Sequence, residues 1–148
     1  MITKPALTLD DAKQLLAAAE EKAGENNWEV VVSIVNDGGR IVALHRMDGA
    51  RPGNDEIALA KANTSAITCR PSGVWEHWIE TNHAAYATFP FLAAQGGLPI
   101  INGHLVGAIG ISGVKSFEDE QIAMHAIQTV FPQAATTRAG EEDDGQTF

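Results

Sequence analysis

One stretch limits the folding options of this chain more than any other. It runs Gly96-Gly97-Leu98-Pro99-Ile100-Ile101-Asn102-Gly103-His104-Leu105-Val106-Gly107-Ala108-Ile109-Gly110-Ile111-Ser112-Gly113. The pattern is two apolar strands joined at Asn102-Gly103, a dipeptide suited to the positive φ angles of a type I′ hairpin turn. Glycine weakens a strand by about 0.5–1 kcal/mol relative to alanine. Glycines gathered at the ends and along the second strand therefore imply close approach of other backbone or of a ligand. A helix lying tightly on the sheet and a binding role both fit.

A second hairpin stands upstream. Val30-Val31-Val32-Ser33-Ile34-Val35 is a β-branched run, Asp37-Gly38-Gly39 turns the chain, and Ile41-Val42-Ala43-Leu44 returns. Helical spacing appears in three places. Thr8 caps a first helix with Asp11 as its reciprocal partner, and Leu9, Ala12, Leu15, Leu16 and Ala19 form its apolar stripe. Asn54 is placed to cap a second helix of unusually small side chains, Ile57 to Ile67, which can lie close against a sheet. Ser72 opens a shorter helix through Trp75 and Trp78, and the chain from Ala84 to Gln95 reads as irregular. Ser116 starts a final helix with Asp119 in the answering position and Ile122, Ala123, Ala126, Ile127 and Val130 on one face. The order predicts an α+β fold: one domain, with an antiparallel sheet built from two hairpins and helices packed on it.

At 148 residues the chain suits a single core. The domain is expected over residues 1–132, followed by an acidic, disordered tail over 133–148 that contains Glu141-Glu142-Asp143-Asp144. A net charge of −9 without basic clusters argues against nucleic acid and anionic membrane as partners. No apolar run is long enough to span a bilayer, and Met1-Ile2-Thr3-Lys4-Pro5 lacks the apolar core of a secretory signal. Cys69 is the single cysteine, which agrees with a reducing compartment. A cytoplasmic location is the expectation.

The chemistry-bearing residues are few. The histidines are scattered, and no pair has the i, i+4 spacing of a helical metal clamp, so no dedicated metal site is expected. His45 lies near the end of a core strand and leads into Arg46-Met47-Asp48-Gly49, which makes it a candidate to face a pocket. Lys61 stands among Ala58, Ala60, Ala62 and Thr64, so its ammonium has room to reach a pocket, or its stem snorkels to water. Arg46 can grip a carboxylate through two parallel hydrogen bonds or pair with Asp48. Trp75 and Trp78 share a helix face, and with Tyr86, Phe89 and Phe91 they make either a core cluster or the wall of a cavity for a flat aromatic or porphyrin-sized ligand. The glycines of Gly107-Ala108-Ile109-Gly110 lie within a strand pattern, which excludes a dinucleotide-binding turn.

Several segments in order carry a family likeness: Leu7-Thr8-Leu9-Asp10-Asp11-Ala12, Val35-Asn36-Asp37-Gly38-Gly39, Arg46-Met47-Asp48-Gly49-Ala50 and Ala60-Lys61-Ala62 with Thr64-Ser65-Ala66. Gly96-Gly97-Leu98-Pro99-Ile100, Val106 to Gly113 and Asp119-Glu120-Gln121 complete the set. From Leu7 to Phe131 the chain resembles the GlcG/HbpS family, to which the C-terminal domain of PduO-type cobalamin adenosyltransferases is related. The resemblance implies a compact domain with profilin-like layering that assembles into homo-oligomers, dimers or larger rings. Some members bind haem or respond to its breakdown, and one branch is similar to 4-hydroxylaminobenzoate lyase. The opening helix here holds no histidine, so haem would be held by its propionates and apolar faces rather than by an axial ligand from that helix.

Three functional expectations follow from the resemblance and the residues together. The first is a small-molecule-binding protein with haem or another flat aromatic anion as ligand. Its pocket would lie between the small-residue helix, the loop before Gly96 and a neighbouring subunit. Arg46, Asp48, Lys61 and Thr64 would meet polar groups, Gly96 and Gly97 would allow close approach, and Trp78, Tyr86 and Phe91 would lie against the ring. The second is a cofactor-free lyase or isomerase acting on a small aromatic carboxylate, with Lys61 or His45 moving protons. Such a general acid-base step contributes about a hundred- to ten-thousandfold. The third is an assembly subunit whose glycine hairpin packs against a copy of itself.

Overall fold

The computed structural model describes residues 1–135. Its sheet has four strands, β1 (Val31–Asn36), β2 (Ile41–Arg46), β3 (Gly97–Asn102) and β4 (His104–Ser112), in the order β2-β1-β4-β3 and antiparallel throughout. The hairpins β1–β2 and β3–β4 meet along β1 and β4, so both central strands are buried. Pro99, which has no N–H to donate, sits in β3 at an edge of the sheet, where a missing donor is tolerated.

Helices cover both faces. On one face lie α1 (Leu9–Glu25) and α4 (Ser116–Val130). Leu15, Leu16, Ala19, Ile122 and Ile127 pack there with Val32, Ile34, Leu98, Ile100, Ile109 and Ile111 of the sheet. Thr8 caps α1 as its sequence predicts: its Oγ1 accepts from the Asp11 N–H at 3.1 Å, and the Asp11 carboxylate accepts from the Thr8 N–H at 2.8 Å. Leu9, expected on the apolar stripe, is 53% exposed because it begins the helix ahead of the core. On the opposite face α2 (Asn54–Thr68) lies alone, packing Ala58, Ala62 and Ala66 over Val31, Val35 and Ala108. Then α3 (Ser72–Thr81) and a 3-10 turn (Ala84–Thr88) hold a separate aromatic cluster, so the stretch expected to be irregular opens with one regular turn.

The glycine run has a structural cause on the α2 side. A Cβ on Gly110 would lie 2.1 Å from the Ala58 carbonyl oxygen and 2.6 Å from the Ala62 nitrogen. One on Gly97 would lie 2.3 Å from the Lys61 carbonyl oxygen. Helix backbone rests directly on strand backbone, which fills the space expected to be a hollow between this hairpin and α2. Gly107 meets the sheet's own strand β1, where a Cβ would stand 2.4 Å from the Val35 carbonyl oxygen.

Several local expectations change. Gly103 takes φ +75°, whereas Asn102 does not take positive φ, so the β3–β4 turn is not type I′. A register shift at Ile100/Ile101 absorbs the difference. The position before α2 is held by Gly53, and the Asn54 side chain instead accepts from Ser112 Oγ at 3.3 Å. Pro71 precedes α3, and Ser72 Oγ accepts from the Gly97 N–H at 2.8 Å while donating to the Ala94 carbonyl at 2.5 Å. Ser72 thus ties the loop ahead of β3 instead of capping its own helix. At α4 the Glu118 carboxylate accepts from the Lys115 N–H at 3.0 Å, which releases Asp119 to point inward. Ala135, assigned to the expected tail, donates its N–H to the Ile101 carbonyl at 3.0 Å. The acidic cluster Glu141–Asp144 lies outside the described residues.

Gly110→Ala should destabilise the fold by about 3 kcal/mol or more, because two pieces of backbone must give way. Gly24→Ala, in α1 with nothing within 4 Å, should be neutral or stabilise by up to about 1 kcal/mol. Urea unfolding of both variants against the parent chain checks the contrast.

Candidate functional site

Lys61 is the residue whose surroundings differ most from an exposed lysine. It leaves α2 at the point of closest approach to the sheet and is 4% exposed. Its Nζ donates to Asp119 Oδ2 at 2.9 Å and to the Ile111 carbonyl at 3.0 Å. Gly96, at φ +129°, closes over the ammonium; a Cβ there would stand 2.8 Å from Nζ. Asp119 is 2% exposed and also accepts from the Val114 N–H at 3.2 Å. The pair joins α2 to α4, two helices on opposite faces of the sheet. Burial is the main influence on Asp119 and pushes its pKa up to about 6, against the opposing pull of the Lys61 charge and of hydrogen bonds from Lys61 and Val114. The ammonium therefore does not stand at the rim of a hollow as expected; it is enclosed and already ion-paired.

Thr64 and Gly97 belong to the same frame. Thr64 Oγ1 donates within reach of the Ala60 carbonyl at 3.0 Å and the Leu92 carbonyl at 2.8 Å, which fastens the loop after the 3-10 turn to α2. The aromatic residues cluster on one another. Trp75 meets Trp78, Tyr86, Phe89 and Phe91 edge-on, with ring centroids 5.0–5.7 Å apart. Trp78 is buried in this satellite core, and Tyr86 and Phe91 pack against it. These rings are the neighbours of one another, the core alternative left open by their spacing.

The remaining candidates meet elsewhere. At the end of β2, His45, Arg46 and Asp48 line a cleft of about 700 Å³ together with Glu20, Trp28, Leu44 and Met47. His45 Nδ1 lies 2.5 Å from Glu20 Oε1. An ionised carboxylate only accepts, so Nδ1 carries the proton and the lone pair of the neutral ring is on Nε2. The His45 side chain is 55% exposed, open to a ligand from the solvent side. Arg46 shares this cleft and not the Lys61 enclosure, so the expected Arg46–Lys61 anion site is not assembled. The sequence reading missed Glu20 and Asp119. Glu20 sits on the α1 flank facing β2, and Asp119 was read as a cap; a lysine within an alanine-rich helix surface was the signal that a counter-ion had to exist.

Comparison with known proteins places this geometry in context. A family model described as haem-degrading protein HbpS-like matches residues 7–128. The chain is 36% identical to protein GlcG of Escherichia coli strain K12 over 114 residues, 76% of this chain and 85% of that protein. A crystal structure of a PduOC:heme complex superposes with a TM-score of 0.78 at 28% identity, covering 90% of this chain and all of that one (100%). A crystal structure of HbpS gives a TM-score of 0.79 at 29% identity, over 88% and 94% of the two chains.

Breaking the buried pair from one side leaves an uncompensated charge, so Lys61→Met and Asp119→Leu should each cost about 3–5 kcal/mol, and the double variant less than either. The pH dependence has a defined sign. The folded-state pKa of Asp119 lies above its ordinary value of 3.8, so the stability this group contributes is full below that value and is lost as pH rises through about 6. Urea unfolding between pH 4 and 7 should show the parent chain gaining on Asp119→Asn as the solution is acidified.

Proposed function

The chain belongs to the HbpS-like family, and from that premise we propose that it is a small-molecule-binding protein whose ligand is haem or another flat aromatic molecule bearing an anionic group. The observation that carries this reading is the cleft at the end of β2. Its size, about 700 Å³, is that of a site for a ligand of this kind. Trp28, Leu44 and Met47 offer apolar surface, and Arg46 offers a planar, permanently charged fork for a carboxylate.

The donor set fits haem. His45 is held through Nδ1 by the Glu20 carboxylate, the arrangement commonly found around metal-bound imidazoles, because it fixes the ring and raises the basicity of Nε2. Bound haem supplies an iron centre for ligand or redox chemistry. His45 Nε2 would supply a nitrogen donor to the iron and Arg46 would hold a propionate. Glu20, Glu29 and Asp48 make the rest of the rim acidic, which directs an anionic substituent to Arg46. In this reading Lys61, Thr64, Gly96 and Gly97 hold the fold, and Trp78, Tyr86 and Phe91 form a packed side cluster. Assembly into homo-oligomers and a cytoplasmic location, both expected from the sequence, remain part of the proposal.

The same His45–Glu20 pair beside Arg46 favours one second reading. A carboxylate-oriented imidazole next to a carboxylate-binding guanidinium can move a proton on a small aromatic acid without a cofactor. Lys61, enclosed by Gly96, Ile111 and Asp119, would then play no part in proton transfer.

Haemin titrated into the parent chain should give a saturable Soret shift. His45→Ala should change the band position, and Arg46→Ala should weaken binding about tenfold while leaving the band position unchanged. No saturable shift in the parent chain would remove haem, and turnover of an aromatic carboxylate lost in His45→Ala would favour the second reading.

A further inference from the structure

The outward side of α2 and the segments flanking it carry a cluster of exposed large apolar residues. Ile57 and Ile67 stand on the helix, Ile41 at the start of β2, and Leu92 in the loop that Thr64 fastens to α2. Ile41 is 54% exposed and Ile67 is 50% exposed, well beyond what core packing leaves at a helix edge. On α2 itself Glu56, Ala60, Asn63 and Ile67 recur at i, i+4, i+7 and i+11 and form one stripe, with Ile57 beside it. A cleft of about 420 Å³ opens between this stripe and the β1–β2 turn, where Arg40, Ile41, Glu56, Leu59 and Ala60 line it. We propose that this surface is a self-complementary interface, on which a second copy of the chain docks with its α2 antiparallel to the first. The inference rests on the homo-oligomeric assembly proposed above and names the surface through which two copies meet.

The charges select the occupant. Arg40 and Glu56 are the charged side chains of the cleft, and among the described residues neither has an ion-pair partner. They stand toward opposite ends of the stripe. Glu56 belongs to the first turn of α2. The Asn63 carboxamide donates to the Gly39 carbonyl at 3.0 Å, which docks the β1–β2 turn, and Arg40 with it, on the C-terminal half of the helix. A Cβ on Gly39 would lie 3.3 Å from Ile67 Cγ2, so the turn reaches the level of Ile67.

At 1.5 Å per residue, Glu56 lies about 8 Å along the helix from a point between Ala60 and Asn63. A two-fold axis through that point reverses α2 and brings the second copy's Glu56 to the level of Ile67 and Arg40. The reciprocal pair forms at the other end, as an isologous contact requires. The same operation sets Ile57 of each copy beside Ile67 of the other, and the small side chain of Ala60 lets the helices approach closely where they cross. A single small ion is a poorer occupant, because it would meet one charge of its own sign beside the charge it pairs with. Copies with a net charge of −9 repel one another, so they meet most readily where the facing charges cancel.

The test is sedimentation velocity of the full chain over a range of concentrations, with charge reversal at two exposed positions. Arg40→Glu and Glu56→Arg should each raise the dissociation constant about tenfold or more, because every change acts twice across the axis and sets like charges together. The double variant Arg40→Glu/Glu56→Arg restores both pairs and should return association toward that of the parent. Circular dichroism of each variant should match the parent, since neither side chain is buried. Single variants that associate as the parent does, or a double variant as weak as the single ones, would overturn this interface and leave assembly through another surface. A parent chain that stays monomeric at every concentration would overturn the interface and the assembly together.

Discussion

The backbone of α2 touches the backbone of β3 and β4 at Gly97 and Gly110, and the rest of that layer follows from this contact. A helix with ordinary side chains rides farther from a sheet on a cushion of leucine and isoleucine. Here Ala58, Ala62 and Ala66 form the underside of the helix, and the strand positions at its closest approach, Gly97 and Gly110, have no Cβ. Apolar burial by itself is non-directional and would accept many helix positions. The glycine gaps accept few, because a shift of one residue along the strand would set a carbonyl oxygen against a side chain.

Closeness of that order explains how a lysine on one face of the sheet reaches an aspartate on the helix covering the other. The stem of Lys61 starts near the strand plane and passes the end of β4, where the Ile111 carbonyl and Gly96 leave a gap for the ammonium. A buried ion pair is weak evidence for stability, since desolvation offsets most of its attraction. Its effect is on placement. With Lys61 and Asp119 joined, the position of α2 over the glycines and the position of α4 over the opposite face are no longer independent.

Much of this was legible in the sequence. Both hairpins, the small-residue helix, the α1 cap and the need for close backbone approach at the glycine run were readable, because each depends on local pattern. The partner of Lys61 was not, because Asp119 is remote in sequence and its spacing from Ser116 mimics a capping box. Glu20 was hidden for a similar reason: nothing near His45 in the sequence names the α1 residue that faces it. The aromatic cluster was found as a cluster, yet its use as packing depended on the geometry of the turn from Ala84 to Thr88. In each case the missing link was a long-range side-chain contact that periodicity does not record.

The C-terminal part of α1 contributes to two clefts. Glu20 and Gly24 line the one at the end of β2, whereas Lys22 lines the one beside α4. A carboxylate matters in both, but in different ways. Glu20 is engaged by His45 and fixes an imidazole beside the Arg46 guanidinium. Glu120 lines the other cleft among carboxamides, with Phe117, Met124, Lys22 and His125 around it. The two clefts lie on either side of the same stretch of α1, and the Lys61–Asp119 tie adjoins only the second, where Gly96 and Asp119 are the chain neighbours of Gln95 and Glu120. The His45 cleft is bounded instead by the end of β2 and the turn at Asp48-Gly49, where Gly49, at φ +86°, leaves no room for a Cβ beside the Glu29 carboxylate, so backbone conformation sets that wall too.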